Sequence, residues 1–158
     1  MATQGTIKIG PWGGEKEVKW NYAPPSKDSS IIEINIGYGA VVNSLSFKSI
    51  DHASGRTTSS PTYGGTGAVN EQISIDGSNE YLSSITATII KYMGHDVVES
   101  LTFNTSNNNN YGPYGPPNIT GTDIIVPLEN GQVTGFFGRA TGGQQINAIG
   151  YYAKPHPK

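Results

Sequence analysis

The chain contains no cysteine, which removes disulfides, thiolate nucleophiles and cysteine-based zinc sites together. Charge is nearly as scarce. Asp, Glu, Lys and Arg make up 14% of the 158 residues, the formal net charge is −2, and no two Lys or Arg residues are adjacent. The basic footprint of a nucleic-acid binder is therefore missing, as is a cationic face for a membrane surface. Nothing approaches the roughly eighteen consecutive apolar residues of a membrane span. The first residues, MATQGTIKIG, lack the basic segment and apolar stretch of a signal peptide. The expectation is one soluble, cytoplasmic or nucleocytoplasmic domain over residues 1–158, with its core over about 6–153, no membrane insertion and no nucleic-acid partner.

What is abundant is neutral polarity. Gly (21), Ser, Thr and Asn dominate, so a binding surface here is built from uncharged donors and acceptors, which suit neutral polar ligands. Apolar residues recur with period two at 6–9, 30–36, 42–47, 72–75, 85–90, 97–103, 124–126, 132–137 and 146–152, and many are β-branched or aromatic. Turn formers such as Pro24-Pro25, Gly64-Gly65 and Asn130-Gly131 separate these runs, and no convincing helical period is present. The class is all-β: a sandwich, barrel or prism.

An internal repeat sharpens this. GAVVNSLSF from Gly39, GHDVVESLTF from Gly94 and GQQINAIGYY from Gly143 each begin with Gly, reach a polar residue (Asn43, Glu99, Asn147) and enter an alternating strand. A second series, WGG at Trp12, YGG at Tyr63 and TGG at Thr141, accompanies it. The pattern predicts a pseudo-threefold domain with a Gly-initiated loop before one strand of each unit. Gly lets a ligand approach the main chain, and the N–H groups that follow it, with a side-chain amide four residues on, would converge as donors and acceptors suited to sugar hydroxyls.

IGPWGG (Ile9 to Gly14), VVNSLSF (Val41 to Phe47), YGGTG (Tyr63 to Gly67), EYLSSITATI (Glu80 to Ile89), VESLTFNT (Val98 to Thr105), YGPYG (Tyr111 to Gly115) and GFFGRATGGQQINAIGYY (Gly135 to Tyr152) together resemble the jacalin-related lectins, in their uncleaved, mannose-binding branch. The resemblance implies a type I β-prism of three four-stranded antiparallel Greek-key sheets, and a non-enzymatic, cofactor-free protein that binds mannose- or glucose-type glycans, with a role in plant defence. It implies a principal site formed by the N-terminal Gly-rich loop, here Gly14, and a late loop of pattern Gly-x-x-x-Asp. Gly143 takes the place of the Gly, Gln144 and Gln145 offer backbone N–H groups, and Asn147 stands where the pattern has Asp. An amide offers one acceptor group and one donor group where a carboxylate offers two acceptors, so weaker binding is expected here, tightened by Asn147→Asp. A second site is implied on the pseudo-equivalent loop Gly39, Ala40, Val41 and Asn43, beside Gly65. The third equivalent, ending at Glu99, is the least suited. The usual Trp-Gly-Gly-x-Gly-Gly is also broken, because Gly14 is followed by Glu15-Lys16-Glu17.

Rival readings are less well supported. A glycosidase needs two carboxyl groups across a cleft; the only close pair, Glu15 and Glu17, reads as exposed and solvated. His52, His95 and His156 are isolated, which argues for no metal site. A protein-interaction or assembly module remains the alternative, served by Tyr111, Tyr114, Tyr151 and Tyr152, although core or interface packing suits the last two better. A homodimer or higher homo-oligomer is expected, since weak single sites gain by multiplication.

Overall fold

The computed structural model describes residues 6–15, 17–76, 78–125 and 131–155, and these contain strands and turns but no helix. Three antiparallel hairpins organise the molecule: β3 (Ser29–Tyr38) with β4 (Val42–Asp51), β8 (Leu82–Tyr92) with β9 (His95–Thr105), and β12 (Gly131–Thr141) with β13 (Gln145–Pro155). Each hairpin gains a strand on either side. β5 (Thr57–Ser59) and β6 (Tyr63–Gly64) both pair with β4 while β7 (Val69–Ser74) pairs with β3. β10 (Asn110–Tyr114) pairs with β9 and β11 (Thr122–Ile125) with β8. The third hairpin is completed from the other end of the chain, by β1 (Ile7–Gly13) on β13 and β2 (Val18–Tyr22) on β12.

The three repeats predicted from the sequence are these three hairpins. Two sheets have four strands and the third has five, because β5 and β6 divide one edge of β4 between them. The second predicted series needs correction. Trp12 lies opposite Ile149, Tyr63 opposite Leu45 and Tyr114 opposite Leu101, so the third member is Tyr114-Gly115, whereas Thr141-Gly142-Gly143 forms a hairpin tip. The strand expected at 124–126 falls partly outside the described residues, which omit Val126.

Alternation places one aromatic from each repeat in the core, four residues after Asn43, Glu99 and Asn147: Phe47 at 2% exposure and Phe103 and Tyr151 at zero. Phe47 stacks on Phe136 at 4.7 Å between centroids, and Phe103 meets Phe136 edge-on at 6.3 Å. Tyr22 and Trp20 stack on Phe47 at 5.4 and 6.2 Å, so β2, whose burial alternates, closes the core beneath β12. Such offset and edge-to-face pairs add about 0.5–1.5 kcal/mol each beyond burial. Tyr151 and Tyr152 thus serve packing, and Tyr114 packs against Tyr38 and Phe103.

Candidate functional site

Residues from all three hairpin tips meet at one end of the prism, where the two predicted loops are in contact. In the β12–β13 tip Gly143 has φ +74°, a left-handed conformation open to glycine. Its N–H donates to the carbonyl of Gly64 at 3.1 Å, and the N–H of Gln144 donates to the carbonyl of Thr141 at 3.0 Å. The N–H of Gln144, expected to face a ligand, is therefore engaged within the turn. Gly142, Gly143 and Gln144 are exposed, and Gln145 is half-buried.

Asn147 sits deeper, inside β13, and is 1% exposed. Its Oδ1 accepts from the Thr141 hydroxyl at 2.9 Å, its backbone carbonyl accepts the Gly14 N–H at 3.0 Å, and its Nδ2 is buried without a partner. The tip thus brings Gly14 and Asn147 together, as the sequence predicted, but turns the Asn147 acceptor inward. Glycine at 13 is a steric need, because a Cβ there would strike the carbonyl of Asn147, whereas one on Gly14 would press on the movable Oε1 of Glu17 and come to 3.0 Å from the Asp96 carbonyl.

Glu17 is the residue that sequence reasoning misplaced. Expected as one of a solvated pair, it keeps only 16% of its side chain exposed, and Oε1 is buried without a partner. Oε2 lies 3.9 Å from Nδ1 of His95, and the backbone carbonyl accepts from Nη1 of Arg139 at 2.9 Å. The signal was the replacement of small residues after Gly14 by Glu15-Lys16-Glu17. Nothing in that triplet tells that β9 delivers Asp96 and His95 to the same place.

The second predicted loop is occupied by the first. Nδ2 of Asn43 donates to the carbonyl of Gln144 at 2.9 Å, and a Cβ on Gly65 would lie 2.5 Å from the Gln144 nitrogen. Gly65 donates to the carbonyl of Asn43 at 2.7 Å, as Gly14 does to Asn147, so the pseudo-symmetry holds in the backbone. Gly39 closes its own turn by donating to Val41, Val41 is buried, and Ala40 is exposed. Beyond Gly65 opens a hollow of about 390 Å³ lined mainly by neutral groups, among them Asn35, Ser44, Ser46, Thr66 and Asn70, with one carboxylate, Glu71. The third loop differs in kind. The register puts Pro116 where Gly14 and Gly65 stand, so the corresponding N–H is missing. Glu99, 3% exposed, receives the N–H groups of Thr120 and Gly121 at 3.1 and 2.8 Å.

Among the described residues no three His, Asp or Glu side chains cluster to hold a metal. The chemistry of this end is that of Gly backbone, amides, hydroxyls and two largely buried carboxylates, Glu17 and Glu99, on an all-β prism.

A fold of three sheets with Gly-rich hairpin tips gathered at one end defines a β-prism domain. The jacalin-like lectin domain model matches residues 9–152, and the chain belongs to that family. The mannose/glucose-specific lectin of Parkia pendula is 38% identical over 155 residues, 96% of this chain and 33% of that protein. This chain thus spans about a third of the Parkia lectin, and 46% of the agglutinin of Castanea crenata. Horcolin of Hordeum vulgare is 34% identical, covering 94% of this chain and 97% of its own length. Malaysian banana lectin superposes with a TM-score of 0.82 at 32% identity, over 96% of this chain and 100% of that one. A mannose-specific jacalin-related lectin from Morus nigra, in complex with mannose, does so with 0.81 at 32% identity, over 98% and 97%.

Proposed function

We propose that this domain is a non-catalytic lectin that binds mannose- and glucose-type glycans at the junction of Gly14, Glu17 and the 141–147 hairpin. The observation that carries this is the pairing of Gly14 with Asn147 beneath an exposed Gly-Gly-Gln rim, which sets polar groups at a close approach to the main chain. The mannose/glucose specificity of the Parkia lectin and the mannose specificity of the Morus lectin support the choice of sugar. Hydroxyls, each both donor and acceptor, match a site that mixes amide and carboxylate groups. Titration calorimetry with methyl α-mannoside and methyl α-glucoside, backed by a glycan array, tests the reading. Saturable binding to either glycoside is expected, and silence across both assays overturns it.

We also propose self-association. With Gln144 filling the Asn43 loop, each chain offers one rim, and cross-linking of glycans then comes from joining chains, whose effective concentration raises avidity.

A further inference from the structure

Two polar atoms at the proposed site are buried without partners, and they are complementary: Oε1 of Glu17, an acceptor, and Nδ2 of Asn147, a donor. An unsatisfied buried polar group is costly, and native structures hold few of them. Both flank the junction of Gly14 with Asn147. Gly14 follows the Gly13–Ala148 pair that ends the β1–β13 ladder, and its N–H donates to the Asn147 carbonyl at 3.0 Å, which sets the two residues side by side. Oε1 of Glu17 lies where the side chain of residue 14 would start.

Nε2 of Gln145 points at the Thr141 hydroxyl oxygen at 3.4 Å, and that hydroxyl lies 2.9 Å from Oδ1 of Asn147. In this arrangement Thr141 accepts from Gln145 and donates to Oδ1 of Asn147, and Nδ2 has no partner.

We infer that Glu17 is a specificity-determining residue of this site: its carboxylate and the Asn147 amide together grip one sugar hydroxyl, which donates to Oε1 and accepts from Nδ2. The inference rests on the lectin reading proposed above. A hydroxyl is the smallest group that satisfies both atoms at once, whereas an ether or a deoxy position satisfies one or neither. The Glu17 side chain keeps 16% of its surface in solvent, so the carboxylate is within reach of a ligand from outside. The terminal torsion of Glu is broad and soft, so a small turn of the carboxylate presents Oε1 to an entering hydroxyl.

The test is calorimetry with methyl α-mannoside and methyl α-glucoside on the wild-type chain, Glu17→Gln and Glu17→Ala, with a thermal melt of each. Glu17→Gln keeps the shape but loses the charge, and binding is expected to weaken about fivefold to tenfold. Glu17→Ala should weaken it at least about tenfold. Both variants should melt at or above the wild-type Tm, because each removes an unpaired buried carboxylate oxygen. Unchanged or tighter binding by Glu17→Ala overturns the inference and makes Glu17 a plug. Weaker binding with a lower Tm in both variants overturns it also, since Glu17 would then be a structural residue. Wild-type chain that binds neither glycoside removes the lectin reading and this inference together, whereas wild-type binding with indifferent variants removes only the inference.

Discussion

The side-chain amide of Asn43 donates to the backbone carbonyl of Gln144 at 2.9 Å, across 101 residues of chain. Two loops that the repeat made equivalent are thereby not independent: the tip of the late hairpin lies on Gly64 and Gly65 and takes the donor that the earlier loop would offer a ligand. The valence of the domain follows from that contact. Calorimetry with a monosaccharide should give one sugar per chain. Two per chain would mean that Gln144 leaves Asn43 at negligible cost.

Removing the contact should loosen the tip without unfolding the prism. Asn43→Ala deletes one partly exposed hydrogen bond, worth about 0.5–1 kcal/mol, and leaves the Gly65 N–H to Asn43 carbonyl bond in place. Hydrogen exchange at the Gly143 amide, which donates to Gly64, should speed up several-fold, while amides in β9 and β13 keep their protection. An unchanged Gly143 rate would show that the tip is held by its own turn alone.

Asn147→Asp is the substitution for which the sequence and the structure give opposite answers. The resemblance implies tighter sugar binding with a carboxylate at 147. The structure places Oε1 of Glu17, buried and unpaired, beside Gly14, whose N–H is bonded to Asn147, so the Asn147→Asp change would bring a second carboxylate to this junction and remove the unpaired Nδ2 donor. Like charges at close range in a poorly solvated pocket disfavour both ionised forms. The expected result is at least about fivefold weaker binding and a lower Tm at neutral pH. The double substitution Glu17→Gln with Asn147→Asp should recover stability relative to Asn147→Asp, as a charge conflict requires.

Why the surroundings of Glu17 were not legible in the sequence while the hairpins were has a physical answer. The three hairpins were legible because each buries one face, so period two is imposed on Phe47, Phe103 and Tyr151 alike. β5 reads Thr-Thr-Ser and is wholly exposed, β6 is two residues long, and β10 carries Gly and Pro, so these edge strands leave no apolar period, although Tyr63 and Tyr114 anchor β6 and β10 to the core. β2 was missed because its two buried residues, Trp20 and Tyr22, are too few to set a period. The environment of Glu17 is assembled from β9, β12 and the turn after β1, and no local window contains all three. Backbone equivalence of the loops was legible; which groups they would spend on each other was not.

Glu99 should behave as a structural carboxylate. Both N–H groups it receives come from the segment leading into β11, so it staples that segment to β9 from a buried position. Charge-assisted hydrogen bonds contribute about 1.5–3 kcal/mol, and leaving the N–H groups unpaired adds cost. Glu99→Ala should therefore destabilise by about 2–4 kcal/mol, lowering Tm by roughly 4–16 °C for a chain of this size. Glycoside affinity measured well below the new Tm should stay within about twofold of wild type. A large loss of affinity would bring the third loop into the site.

Alkaline unfolding should report the core through Tyr151. This ring is fully buried, and loss of solvation pushes its phenol from 10.0 up to about 12. The neutral form is the one the fold favours, so the associated stability is fully present below pH 10 and is lost as pH rises from 10 towards about 12. At 1.36 kcal/mol per pH unit, this one group removes on the order of 2–3 kcal/mol across that window. Tyr22 and Tyr63 are shifted in the same direction, again chiefly by burial, and steepen the fall. Denaturant midpoints should accordingly be flat up to about pH 9.5 and drop steeply above about pH 10. Tyr151→Phe keeps the ring in the core and removes the ionisable group, so its curve should fall less than that of the wild type over the same window. Parallel curves for the two proteins would place the alkaline transition on other groups.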